Sequence, residues 1–170
     1  MIMSARLGRL TAVALICLAP GCSSSDRRQP AAEQLESAPR DTIEVVEEFW
    51  PDGSPKLRKH VLLQSDGVRV DHGRHTLWYD NGQKEYEAAY DQGRLHGVEI
   101  AWHRNGEKWT EQYFDRGLRQ GRRQTWDNQG RLRSEENYHE GRPHGVWTIW
   151  KGDGTIKWRA HFEHGKPAPK

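Results

Sequence analysis

The stretch Trp78-Tyr-Asp-Asn-Gly-Gln-Lys-Glu-Tyr-Glu-Ala-Ala-Tyr-Asp-Gln-Gly-Arg-Leu-His-Gly-Val-Glu-Ile-Ala-Trp102 decides the fold. Two segments within it, Lys84–Tyr90 and Val98–Trp102, alternate with the period of two that marks strands with one more apolar face. Asp91-Gln92-Gly93-Arg94 lies between them and His103-Arg104-Asn105-Gly106 follows them. Both are turn sequences, because Gly, Asn and Asp reach the positive φ that tight hairpins require. The unit therefore reads as one β-hairpin.

Outward from this stretch the same unit recurs with a period of 24 residues. Trp78, Trp102, Trp126 and Trp150 keep the spacing, as do Gly82, Gly106, Gly130 and Gly154. So do Tyr90, Phe114, Tyr138 and Phe162, and the two further glycine series Gly93/117/141/165 and Gly73/97/121/145. A diverged first unit is traced at Trp50-Pro-Asp-Gly53, with Val61 eight residues after the glycine as Tyr90 is after Gly82. Such irregularity suits a terminal repeat, which caps the stack. The sequence thus predicts an all-β fold, an elongated antiparallel meander of repeated hairpins, over residues 42–170.

Counting along the strands, Val98, Ile100 and Trp102 are expected to share a face with Tyr86, Ala88 and Tyr90. Val146, Thr148, Trp150, Trp158, Ala160 and Phe162 repeat the pattern. On this reading Trp78, Trp102, Trp126 and Trp150 form a structural core stripe with the turn glycines, and truncating one costs roughly 3 to 5 kcal/mol. The opposite face is expected to carry Glu85, Glu87, Glu99, Glu111, Arg123, Arg133, Glu135 and Arg159, interrupted by Trp109, Tyr113 and Trp147.

Trp-Tyr-Asp-Asn-Gly82, Trp-His-Arg-Asn-Gly106, Trp-Asp-Asn-Gln-Gly130 and Trp-Lys-Gly-Asp-Gly154, each followed by an aromatic and a Gly-x3-Gly turn, resemble bacterial MORN-variant repeats. More narrowly they resemble the proteins grouped as YwqK-type antitoxins. The resemblance covers residues 43 to 166. It implies a single-layer array of hairpins, a role in binding proteins or lipid surfaces, and no catalytic residues.

The N-terminus reads differently. Arg6 and Arg9 precede the apolar run Leu10–Ala19, the shape of a secretory signal, residues 1–21. A permanent membrane span needs roughly 20 apolar residues, so cleavage is expected. The junction Leu18-Ala-Pro-Gly-Cys22-Ser-Ser-Ser25 resembles the lipobox of bacterial lipoproteins, with Ala19 where the family has leucine. That resemblance implies that Cys22 is acylated and becomes the new N-terminus. The alternative is an ordinary cleaved signal with Cys22 as a spare thiol. Cys17 leaves with the signal, so Cys22 is the one cysteine of the mature chain and has no disulfide partner. Residues 22–41 lack aromatics and have one large aliphatic residue, Leu35, so they are expected to be a disordered tether. All 16 aromatic residues lie at or beyond Phe49.

Charge excludes one class of function. The chain has 26 basic and 24 acidic residues, and losing Arg6 and Arg9 with the signal leaves 24 of each. A neutral mature chain lacks the basic excess of a nucleic-acid binder, so no nucleic acid is expected as a partner.

Candidate chemistry is sparse. His72, His96 and His144 each precede a repeat glycine, with Gln120 in that place in the third unit, and are read as polar rings that hydrogen-bond locally. The pairs His72/His75 and His161/His164 have usable metal spacings but no four-ligand cluster accompanies them, so no metal and no cofactor are assigned. Carboxylates are spread along strands and serines sit mostly in the tether, which offers no nucleophile with a positioned base and hence no catalytic residues. The slots occupied by Glu85, Trp109, Arg133 and Lys157, and by Glu99, Arg123 and Trp147, accept charge and tryptophan alike, which argues against core. Trp109, Trp147, Tyr113 and Arg123 are therefore the candidate binding surface.

Three functions compete. The first is a non-catalytic, envelope-anchored scaffold that docks a protein partner, held to a membrane by its N-terminal lipid, with Ser23 after the cysteine favouring the outer membrane. The second is a carbohydrate or cell-wall module that stacks glycan on exposed tryptophan. The third, antitoxin-like, requires a co-encoded toxin. The anchor is directly testable: Cys22→Ser is expected to abolish incorporation of a labelled fatty acid and partitioning with membranes, and label retained by the variant overturns the assignment.

Overall fold

The computed structural model describes residues 41–169. The expected signal segment 1–21, Cys22 and the tether up to Arg40 lie outside the described residues. Thirteen antiparallel strands and no helix make up what is described. They are β1 (Thr42–Phe49), β2 (Pro55–Leu63), β3 (Arg69–Trp78), β4 (Lys84–Asp91), β5 (Arg94–Trp102), β6 (Lys108–Asp115) and β7 (Leu118–Arg119). Then follow β8 (Gly121–Trp126), β9 (Leu132–His139), β10 (Arg142–Pro143), β11 (Gly145–Trp150), β12 (Ile156–Glu163) and β13 (Lys166–Pro167). All lie in one open sheet in sequence order, with β7 and β10 pairing back onto β6 and β9. This is the expected all-β hairpin meander.

Two turn types alternate along the sheet, each set by its own residues. Gln92 and Gly93 both have positive φ, 46° and 80°, the geometry of a two-residue type I′ turn. Arg116-Gly117, Glu140-Gly141 and His164-Gly165 repeat it. At the opposite end Gly82 N donates to Tyr79 O at 3.0 Å and Tyr79 N to Gln83 O at 2.9 Å, with Gly82 at φ 80°. That is a type I turn closed by a left-handed glycine, the usual three-residue hairpin loop.

The same turns correct the frame of the first unit. Trp50 N donates to Ser54 O at 2.8 Å and Gly53 N to Trp50 O at 2.9 Å, the bonds that Tyr79 makes in the next unit. Trp50 is thus the counterpart of Tyr79, and Phe49 occupies the slot of the repeat tryptophan.

Neighbouring hairpins are bonded at both ends as well as along their strands. Tyr79 Oη donates to Trp102 O at 2.9 Å, and His103 Nε2 lies 3.0 Å from Trp126 O. Trp50 Nε1 donates to Trp78 O at 3.3 Å. From the other end Gly93 N reaches back to Asp71 O at 2.7 Å, and Gly117, Gly141 and Gly165 repeat this bond to Leu95, Arg119 and Pro143.

Register overturns the expected assignment of faces. Directly paired residues point to one side of a sheet. The pairs Tyr86↔Ala101, Ala88↔Glu99 and Tyr90↔Leu95 place Tyr86, Ala88 and Tyr90 with Leu95, Glu99 and Ala101. Glu87 pairs with Ile100, and Val98 with Tyr113, so Val98 and Ile100 lie on the other side. Trp102 continues their alternation, and its ring receives the Lys84 ammonium, which also pairs with Glu87. The two-residue turn causes this, because it sets Tyr90 opposite Leu95 and so joins even positions of β4 to odd positions of β5. In the last unit Val146 and Thr148 likewise part company with Trp158, Ala160 and Phe162.

The core is correspondingly thin. Val61, Ala88, Ala101 and Phe114 are the buried apolar residues among those described, and all four lie on the Tyr86 side. Trp78, Trp102, Trp126 and Trp150 are half-buried, not a core stripe. Phe114, 7% exposed, is therefore the position where truncation hurts most. Phe114→Ala is expected to cost about 3 kcal/mol or more, and Trp102→Ala clearly less, in urea melts. Equal losses would contradict the thin, one-sided core.

Candidate functional site

With no second layer among the described residues, both faces of the sheet are open to solvent, and they differ in chemistry. One carries the 24-residue aromatic series Tyr90, Phe114, Tyr138 and Phe162, with Tyr86, Trp147 and Trp158. Trp147 lies between Tyr138 and Phe162, with ring centroids 5.2 and 4.8 Å away, and Trp158 is 6.2 Å from Phe162. Offset and tilted pairs at these separations are favourable beyond their burial. At the other end of the row His75 stacks on Tyr90 at 4.2 Å.

The four candidate residues do not form one patch. Trp109 follows Lys108 at a bulge opposite Ala101 and Trp102, and it lines a shallow groove with Leu77, Tyr79, Tyr86, Tyr90 and Ala101. It is 53% exposed and stands on the aromatic side, 6.1 Å from the His103 ring. Trp147 is also on the aromatic side, paired with Ala160, half-buried, with Nε1 donating to Asn137 O at 2.8 Å. Tyr113 is on the opposite face, across from Val98. Both tryptophans had been expected on the charged face, and the register removes them from it.

Arg123 and Glu99 are corrected in the same way. Both lie on the aromatic side, and each has a partner on a neighbouring strand. Gln112 Nε2 donates to Glu99 Oε1 at 3.1 Å, and Arg119 Nε to Gln112 Oε1 at 2.9 Å. Arg123 Nη1 donates to both Glu136 oxygens at 3.1 Å, and Tyr138 Oη to Glu136 at 2.8 Å. These partially buried charges are held by partners, so the slot tolerates them without being surface. Arg123 Nε is the buried side-chain atom among the described residues that has no hydrogen-bond partner.

The surroundings keep the titrating rings neutral. Burial, then the bond to Glu136 and its charge, pushes the Tyr138 hydroxyl up to about 12. Burial raises Tyr86 as well. Burial lowers His75, outweighing its contacts with His60 O and Asp71. At neutral pH these rings are uncharged and act as hydrogen-bonding groups. The face offers aromatic area interspersed with paired charges such as Arg123 and Glu136.

The histidine series is absorbed by the joints between repeats. His72 Nδ1 lies 3.4 Å from Asp91 and His96 Nδ1 3.3 Å from Asp115, each in the next hairpin's turn. Gln120, their counterpart, accepts from Glu140 N at 2.9 Å. Their bonds reach across repeats, where a local bond had been expected. Among the described residues no group of three His, Cys, Asp or Glu is placed to hold a metal.

A family model described as a MORN repeat variant matches residues 71–92, most of β3, its turn, β4 and the start of the next turn. This segment is a MORN repeat. No curated protein matches the chain. MORN repeats are commonly protein- or membrane-binding modules, and an all-β array of this kind suggests a binding module without catalysis.

Exposure separates the two candidate tryptophans experimentally. Trp109→Ala is expected to change stability by about 1 kcal/mol or less, as for most surface substitutions. Trp147→Ala removes two ring contacts and a hydrogen bond, so its loss in the same denaturant melt should be clearly larger. The reverse order would show that the side of the sheet has been misassigned.

Proposed function

We propose that the chain is a non-catalytic scaffold that docks a protein partner on its aromatic face and is held at the cell envelope by a lipid on Cys22. The observation that carries this reading is the uncovered row of Tyr86, Tyr90, Trp109, Tyr138, Trp147 and Trp158 on a sheet one layer thick. Aromatic area with its charges paired off, as Arg123 is with Glu136, matches the aromatic- and arginine-enriched composition of protein interfaces. Tryptophan and tyrosine are the residues that most often dominate binding energy there. The neutral phenols and imidazole support recognition through uncharged hydrogen bonds. The lipobox-like Leu18–Cys22 segment supports the anchor.

Photocrosslinking from the intact envelope tests the docking face. A photoreactive residue in place of Trp109 is expected to yield a discrete protein adduct, and one in place of Val98, on the opposite face, is not. Adducts from Val98 alone would move the docking site to the other face. No protein adduct at either position, with retention on isolated cell-wall glycan, would favour the carbohydrate reading.

A further inference from the structure

Rows of directly paired residues cross the sheet from one outer strand to the other. On one face the row runs Glu47, Arg58, Thr76, Glu87, Ile100, Glu111, Gln124, Glu135, Thr148, Arg159. On the aromatic face the adjacent row starts at Glu48 and ends at Trp158 through the same joints. Taking the three-residue loops of Gly53, Gly82, Gly106, Gly130 and Gly154 as the hairpin tips, every joint from the second strand of one hairpin to the first strand of the next keeps this register. Leu57 pairs with Leu77, Tyr86 with Ala101, Thr110 with Thr125 and Ser134 with Ile149.

The two outer strands are the two halves of one such joint. β12 is the second strand of its hairpin, and over Ile156–Ala160 its outer edge is unpaired among the described residues. β1 is the first strand of its hairpin, and its outer edge is likewise unpaired among the described residues. We propose that copies of this chain assemble head to tail, with Val45–Phe49 of one copy adding to Ile156–Ala160 of the next in the register of the internal joints.

That register places complementary chemistry in contact. Arg159 falls opposite Glu47 of the second copy, and Ala160 opposite Val46. Ile156, 47% exposed, abuts Phe49, 57% exposed, as Lys84 and Lys108 abut the rings of Trp102 and Trp126 inside the array. Trp158, 41% exposed, covers the stem of Glu48. The free stretch of β12 carries Lys157 and Arg159, neither with a carboxylate partner among the described residues. β1 carries Glu44, Glu47 and Glu48, whose pairs with Arg69, Arg58 and Lys56 are solvent-exposed and therefore weak. Opposite charges directly across a strand pair favour it, and like charges oppose it. Lys166–Ala168 already occupy the far end of β12, so β1 upstream of Val45 turns aside there. The contact is heterologous, so it generates an open filament or a ring of more than two copies and does not stop at two. Exposed strand edges are the usual templates for such growth.

The test is made on the full chain in its membrane. Glu48→Cys and Trp158→Cys in the same chain place the two thiols across the joint, where paired Cβ atoms lie roughly 4.5–5.5 Å apart. Oxidation is expected to give a ladder of dimers, trimers and higher species on non-reducing gels, with neither single variant passing the dimer. Adding Arg159→Glu should weaken the ladder roughly tenfold, about 1.4 kcal/mol, and adding Glu47→Arg to that chain should restore it. Monomer only, a product that stops at the dimer in the double-cysteine chain, or a ladder indifferent to both charge reversals overturns the proposal. Sedimentation of the detergent-solubilised wild-type chain provides a readout without cysteines: mass above the monomer that falls with salt is expected, and the monomer mass at every concentration overturns the proposal.

Discussion

The hydrogen-bonded joint between one hairpin and the next is the interaction on which the whole molecule depends. A sheet one layer thick has little interior, and only Val61, Ala88, Ala101 and Phe114 are both apolar and buried among the described residues. Burial at roughly 25 cal/mol per Å² therefore contributes less here than in a two-layer domain of equal length. Backbone ladders, cross-strand pairs and bonds between turns carry a larger share. An isolated two-stranded hairpin is marginal in water, so each unit is ordered by its neighbours.

That dependence explains which residues repeat most strictly. Gly82 and Gly93 sit at φ 80° in the two turn types, a left-handed conformation that side chains resist. The Gly93 position must also bring its N–H to Asp71 O on β3. Tyr79 and His103 perform the forward stitch with different chemistry, a hydroxyl and an imidazole, each reaching a tryptophan carbonyl. The slot conserves reach, not residue type, and it is invisible to a search for identical residues.

Hairpins, turn positions and period were legible in the sequence because each depends on neighbours in the chain. The faces were not, for a reason specific to one-layer sheets. In a two-layer protein one face is buried, and apolar alternation reveals it. Here Val98 and Ile100 on one side and Tyr86 and Tyr90 on the other are all apolar, so alternation marks two faces with equal force. The position of Trp109 is set by a bulge between Ala101 and Trp102 and their partners, and single-strand counting does not register it. Glu99, Arg123 and Trp147 looked like a surface slot because charges alternated with a ring. Their partners Gln112, Glu136 and Ala160 change in step, which becomes visible only when the slot is read as a pair across strands.

The joints are not equal, and this bears on how the array behaves as a scaffold. In the unit after that of His103, the slot of Tyr79 and His103 is filled by Asp127, whose carboxylate turns inward to Gln129 N, Arg131 N and the Arg131 guanidinium. Burial raises its pKa, but those hydrogen bonds outweigh it and hold the group below the usual carboxylate range. An acceptor cannot donate to the Trp150 carbonyl, so the forward stitch ends at this joint. The ladder pairs Thr148↔Glu135 and Ile149↔Ser134, the Trp147 Nε1 bond to Asn137 O and the ring contact between Trp147 and Tyr138 remain to hold β9 and β11 together. Trp147 thus stands where a turn bond has been given up, and a bulky ring on the aromatic face supplies the lost coupling. The residue that first suggested a binding site is, at this joint, part of what keeps the face continuous.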